Sequence, residues 1–258
     1  MSRFKRHLSI TARILFCAMI VTVTADASAQ IAASVATGPG TLDGVWTLTG
    51  YKGSGRWSER DRVQHTTDGA LPPMQTWAAE LLEKRIIDAG QGNFFANTLT
   101  QCLPGGMPLM MFGAPYPIQI IETSGQVAML FEEQNHFRII HLNQKKHPDD
   151  PDPTFMGHSI GHWAGSTLVV DTVGLTDRTT IDQIGMPHTD SLHLVERYRL
   201  QDKNTLEVVV TIDDPKTFTK PWDAKAIYKR AAPGTSVSEY ICENNRNAPD
   251  ANGFTSFK

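Results

Sequence analysis

Residues 154–197 read TFMGHSIGHWAGSTLVVDTVGLTDRTTIDQIGMPHTDSLHLVER. Thr167–Val173 and Ser191–Leu200 hold β-branched and apolar residues at every second position, the period of a half-buried strand. Ahead of them His158–Trp163 has the same extended character, and Ala164-Gly165-Ser166 supplies the turn. Working outward, Ile118–Glu122, Val127–Gln134 and Phe137–Leu142 are short apolar runs joined by Ser124-Gly125 and Asn135-His136, which is hairpin chemistry. On the other side, Lys203-Asn204 turns the chain into Leu206–Asp213, and Trp222–Arg230 follows. With Leu42–Tyr51 near the start, eight or nine strands predict a mainly β protein, an antiparallel up-and-down β-barrel. Closure removes the open edges that so large a sheet would present.

Met74–Ala89 is the one helical stretch. Trp77, Leu81, Leu82, Ile86 and Ile87 recur near helical spacing, Pro72-Pro73 opens it, and Gly90 and Gly92 end it. Asn93–Pro117 has no regular period and holds CLPGGMP at 102–108 followed by Leu109, Met110, Met111 and Phe112. Such an apolar loop serves either as a lid over a cavity or as core filling.

The first 29 residues read as a secretory signal: Arg3, Lys5 and Arg6, an apolar run Ile14–Val23, then Ala27-Ser28-Ala29. An uncleaved membrane anchor is the rival, opposed by Thr22, Thr24 and Asp26. Export to the periplasm or medium is expected, followed by a lead-in at 30–41, a single domain at 42–245 and a tail at 246–258. No stable membrane insertion is expected after cleavage. Without the leader, 20 basic face 26 acidic residues, so the formal charge moves from −3 to about −6. That is a poor balance for binding nucleic acid, where Lys and Arg must neutralise phosphates. Cys102 and Cys242 remain, and an oxidising compartment predicts a disulfide between them, with two unpaired thiols as the alternative.

Six polar residues crowd the opening stretch: His158, His162, Asp171, His188, His193 and Glu196. Strand parity puts His193, Val195, Arg197 and Arg199 on one face and Leu192, Leu194, Glu196 and Tyr198 on the other. If Thr167, Val169, Asp171 and Val173 face the lumen beside the first set, Asp171 orients His193 as a general acid or base. His188 is then a second acid, and Arg197 stabilises negative charge. Tyr198, Trp222, Met110 and Phe112 are the expected ligand-binding side chains. No cofactor is expected. A divalent metal on His188, His193, His158 and His162 is the weaker alternative, because no standard zinc spacing is present. His136, His141 and His147 receive no role, and Arg138 and Arg197 are each expected to point outward, in a cross-strand pair with Glu132 or Glu207, more readily than inward. No Gly-x-Ser-x-Gly elbow, phosphate-binding glycine loop or dinucleotide fingerprint occurs.

Gly44-x-Trp46 on the first strand is similar to the lipocalins, in which such a pair closes the barrel floor. From Leu42 to Asn245 the chain also resembles a set of secreted bacterial proteins. The resemblance is carried by CLPGGMP, MGHSIGHWAGSTLVVDTVG at 156–174, PHTDSLHLVERYR at 187–199 and VTIDDPKTFTKPW at 210–222. It implies a lipocalin-like or calycin-like barrel and no particular reaction. Relatives often carry Glu-Gly-Asp where this chain has Ala164-Gly165-Ser166, so that turn is not expected to be the chemical centre. Two functions follow as expectations. One is acid-base chemistry on an apolar or aromatic small molecule, as a lyase, isomerase or hydrolase. The other is non-catalytic binding of a small hydrophobic ligand, with a histidine-dependent metal hydrolase as a further variant.

Overall fold

The computed structural model describes residues 41–52, 58–113 and 115–242. The leader expected at 1–29, nearly all of the lead-in and the tail at 246–258 lie outside the described residues. Nine strands follow chain order around a closed barrel. They are β1 Gly44–Leu48, β2 Ile118–Glu122, β3 Gln126–Phe131, β4 His136–His141, β5 His158–Ala164, β6 Thr167–Val173, β7 His193–Asp202, β8 Thr205–Asp213 and β9 Trp222–Arg230. The antiparallel barrel expected from the sequence is present, with one exception that arithmetic requires. An odd number of strands cannot close if direction alternates at every step. The parallel step is β4 to β5, where Ile140 pairs Ser159 and His141 pairs Ile160. β1 pairs β9 through Trp46↔Arg230 and Leu48↔Tyr228, which completes the circle.

Alternation along each strand sends one set of side chains inward. The inward set includes Met129 on β3, Arg138 and Ile140 on β4, Leu168 and Val170 on β6, Leu194, Glu196 and Tyr198 on β7, and Val208 and Val210 on β8, all at 2% exposure or less. At the end where β1 begins, Trp46 is fully buried and donates its indole N–H to the Leu42 carbonyl at 2.8 Å. The Arg230 guanidinium lies 4.1 Å from the Trp46 ring centroid and donates to the carbonyls of Thr41, Asp43 and Lys203. Gly44 is needed there: its φ is +134°, and a Cβ would run into that guanidinium. This pair forms the floor.

The opposite end, the mouth, is covered by loops and α1, Thr76–Gly90. Ala78, Leu82, Ile86 and Ala89 make its buried stripe, while Trp77 and Ile87 stand outward. Gln75 N–H donates to Thr217 and the Trp77 indole to Lys216, so the helix is fixed to the β8–β9 connection rather than to the barrel wall. The 97–113 segment enters the mouth. Its short helix α2, Leu109–Phe112, buries Leu109, Met110 and Met111, and Met107 is also fully enclosed. Of the two roles considered for this loop, core filling is the one observed. Cys102 and Cys242 form a disulfide with Cα atoms 5.6 Å apart.

Candidate functional site

The centre of the barrel holds a buried ion pair rather than a histidine site. Arg138 and Glu196 are 2% and 0% exposed. The five N–H donors of Arg138 all find acceptors. Nε donates to Ser159 Oγ at 3.0 Å, Nη2 to Thr172 Oγ1 at 2.6 Å and to Glu196 Oε2. Nη1 donates to Glu196 Oε1 at 2.9 Å and meets Tyr198 OH at 3.4 Å. Tyr198 donates its hydroxyl to Glu196 Oε1 at 2.7 Å. Burial and the Glu196 charge push the Tyr198 phenol well above its ordinary value, so it remains a donor. Above this network Met107 Sδ approaches Arg138, and Tyr228 donates to the Met111 carbonyl at 2.6 Å. The plug and the ion pair therefore interlock, and the lumen at this level is occupied by protein.

This corrects the strand faces. His193 and Asp171 do meet, with Nε2 and Oδ1 3.1 Å apart, as diagonal neighbours on paired strands. They meet on the outer wall, where their side chains are 38% and 39% exposed. The physical reason is that Leu192, Leu194 and Tyr198 make the other face the more apolar one. The charge of Glu196 on that face is neutralised by Arg138. Arg138 itself points inward, against expectation. Arg197 points outward and donates to Thr211 Oγ1 at 3.0 Å, too far around the wall to face a lumen. Arg199 pairs Glu207 at 2.8 Å.

The outer wall has partners that the sequence reading passed over. His147, in the loop between β4 and β5, donates Nε2–H to Asp171 Oδ1 at 2.8 Å, and its Nδ1 lies 2.8 Å from His158 Nδ1. The His141 ring stacks on His158 at 5.4 Å. Burial, His147 and His141 together lower the His158 pKa. Asp171 thus holds two imidazoles, His147 and His193. His188 is elsewhere, 5% exposed beneath the mouth loops. Its Nδ1 donates to the Thr189 carbonyl at 3.0 Å, so Nε2 must accept from Thr179 Oγ1 at 2.7 Å, a neutral tautomer that burial favours. His162 is exposed on the outward face of β5. The four histidines considered as metal ligands are therefore not gathered. Among the described residues no three His, Cys, Asp or Glu side chains are placed to hold one ion.

Open space lies at the mouth. A cavity of about 300 Å³ has Leu48, Phe112 and Ala226 at its apolar side and Tyr51, Arg62 and Gln183 among its polar lining. Gln183 organises the wall: Oε1 accepts from Tyr51 OH at 3.1 Å and Arg62 Nη2 at 3.3 Å, and Nε2 donates to the Gly113 carbonyl. Arg62 is also paired with Glu59 at 2.5 Å. Of the four expected ligand-binding residues, Phe112 reaches this cavity. Tyr198 and Met110 are enclosed in the core, and Trp222 is 5% exposed against Phe218. No sequence signal marked these three: Tyr51 closes the stretch expected to be the first strand, which ends at Leu48, and Arg62 and Gln183 sit in aperiodic segments.

No family model matches the chain, and no curated protein matches it. Among solved structures, a Schistosoma mansoni fatty acid binding protein in complex with arachidonic acid is similar at 14% identity. That match covers 74% of this chain and 96% of the other, with a TM-score of 0.35. A secretary abundant heat soluble protein from Ramazzottius varieornatus is similar at 12% identity, 74% and 95% coverage and a TM-score of 0.33. The fluorescent protein UnaG is similar at 14% identity, 45% and 72% coverage and a TM-score of 0.27. The closed strand ladder, rather than these superpositions, defines the architecture.

Proposed function

We propose that this protein binds a small amphipathic molecule, without chemistry, in the cavity at the barrel mouth. The observation that carries this reading is the division of space. The lumen is filled by Arg138, Glu196, Tyr198 and the Met107–Met111 segment, while a cavity of about 300 Å³ at the rim sets an apolar floor against a polar wall. That volume is at the small end of ligand pockets, and polar atoms make up more of the lining than apolar ones, which suits a ligand with a large polar end. Leu48, Phe112 and Ala226 take the apolar body of the ligand. Arg62 and Tyr51 take its polar or anionic end. Export to an oxidising compartment belongs to the same reading, supported by the Cys102–Cys242 disulfide.

Titration with the amphipathic anionic fluorophore 1-anilinonaphthalene-8-sulfonate tests the site. Phe112→Ala and Arg62→Gln are each expected to weaken binding about tenfold, which corresponds to about 1.4 kcal/mol. His193→Ala is expected to leave it unchanged. Equal affinity in all three variants would sink the proposal.

A second reading keeps acid-base chemistry on the outer wall, favoured by one observation: Asp171 orients both His147 and His193. A carboxylate that fixes one imidazole nitrogen leaves the other to act as base or acid. It requires turnover of a ligand retained by the purified protein, lost in His193→Ala with binding spared. Absence of turnover in the parent protein removes it.

A further inference from the structure

From Asn143 to Asp150 the connection between β4 and β5 is open to solvent at every residue except His147, whose side chain is 17% exposed. Among the described residues, the backbone of this run makes no hydrogen bond, and Lys146 pairs Asp149 within it. The only side-chain hydrogen bonds that tie the run to the barrel wall are those of His147. Its two ends are pinned separately. Leu142 N–H donates to the Gly125 carbonyl at 3.0 Å and Thr154 N–H to the Gly174 carbonyl at 2.9 Å, and Pro151 packs against Gly174.

The contacts of His147 depend on proton count. Its Nε2–H goes to Asp171 Oδ1, so in the neutral ring Nδ1 is a lone pair, and the 2.8 Å contact with His158 Nδ1 is a hydrogen bond that His158 donates. One added proton leaves that bond in place with its direction reversed. A second sets two N–H groups and two positive charges against each other at the same separation. The surroundings offer little to offset them. His141 of β4 stacks on His158, and His162 follows on the outward face of β5. Asp171 of β6 is already shared with His193 of β7 at 3.1 Å, and Asp213 of β8 stands opposite His193. The run itself brings Lys145, Lys146, Asp149 and Asp150, all exposed. Burial, His147 and His141 lower the His158 pKa, in keeping with a costly second proton.

We propose that residues 143–150 are a strap, fastened to the outer wall by His147 near neutral pH and released in mild acid, when His147 and His158 are both protonated. His158 is held by its strand and by the His141 ring, and His193 by its strand. The ring free to leave is the one carried on a run with no other hydrogen bond to the wall. The sign follows from linkage: the fastened form disfavours the second proton, so fastening is fully present above the ordinary imidazole value of about 6.5 and is lost as the pH falls below it. Release uncovers Asp171 and leaves it to His193. None of these residues lines the mouth cavity, so the strap stands apart from the ligand site.

Nuclear magnetic resonance of the disulfide-bonded, nitrogen-15-labelled protein, kept in EDTA so that no metal bridges the rings, tests the proposal. At pH 7 a scalar coupling across the Nδ1–H···Nδ1 bond of His147 and His158 is expected, with backbone order parameters at residues 144–147 of about 0.85. At pH 5 the coupling is expected to vanish and those order parameters to fall below about 0.6, while β5 and β6 stay rigid. His147→Ala is expected to give the low values at both pH values. His158→Phe keeps a ring against His141 and removes the second charge, so the His147–Asp171 pair is expected to hold the strap ordered even at pH 5. Order parameters in the parent that do not change between pH 7 and pH 5, or the same loss of order at pH 5 in His158→Phe, would overturn the proposal.

Discussion

Arg138 and Glu196 show what a pair of charges does when five donors and two carboxylate oxygens are all matched in a space water does not reach. Removing one partner leaves the other buried and uncompensated, so Glu196→Ala is expected to cost about 3–5 kcal/mol in denaturant unfolding. Arg138→Met with Glu196→Leu is expected to recover most of that loss. A single variant within about 1 kcal/mol of the parent would contradict the role assigned to the pair. Glu133 sets a pH dependence of the opposite kind. Its folded pKa, about 7, lies above the ordinary 4.5, so the folded state holds the proton more tightly. The contribution is nil below about pH 4.5, where both states are protonated, and it destabilises progressively as pH rises to about 7. Glu133→Gln is expected to flatten that window and to raise stability at pH 8 by roughly 2–3 kcal/mol. At this scale strand parity tells which residues share a face and not which face is inside. Glu196 among leucines reads as a polar intruder until Arg138 is found opposite, on a strand 58 positions earlier. His147 was illegible for a related reason: it reaches Asp171 from a proline-rich loop whose path no local pattern dictates.

Among the elements, α1 illustrates how a short amphipathic stripe is placed by what surrounds it. The sequence located the helix within two residues, because Pro72-Pro73 and Gly90 bound a clear period. It did not separate the buried Leu82 and Ile86 from the outward Trp77 and Ile87, since all four are apolar and the packing surface is a loop layer. Leu82→Ala is expected to cost about 2–4 kcal/mol, whereas Ile87→Ser, at 52% exposure, is expected to fall within about 0.5 kcal/mol of the parent by thermal or chemical denaturation. Equal costs would mean that the helix packs by its other face. Apolar periodicity extends the third strand through Gln134, yet the strand ends at Phe131, and Gln134 and Asn135 adopt left-handed φ of 57° and 54°. Nothing in a polar Glu-Glu-Gln-Asn run announces that conformation; contacts with the C-terminal segment hold it.

For the whole molecule, nine strands close only because one junction is parallel, and that junction is where the 142–157 segment carries the chain back along the wall. Alternating hydrophobicity and turn residues made the barrel legible. The direction of β5 was not, because strand periodicity is the same for either orientation. The Cys102–Cys242 disulfide closes a separation of 140 residues. In the chain-entropy account a loop of that length is worth about 5 kcal/mol, so Cys102→Ser with Cys242→Ser is expected to lower the unfolding midpoint markedly while leaving the strand ladder in place. An unchanged midpoint would show that the tie contributes nothing to global stability.

The central claim is that the lumen is packed and that ligand occupies the rim. Nuclear Overhauser contacts between a bound amphipathic ligand and the labelled methyl groups of the protein measure this most directly. The account predicts contacts to Leu48 and Ala226 and none to Val169 or Val195 on the outer wall beside Asp171 and His193. Contacts to Val169 and Val195, with Leu48 and Ala226 silent, would contradict it.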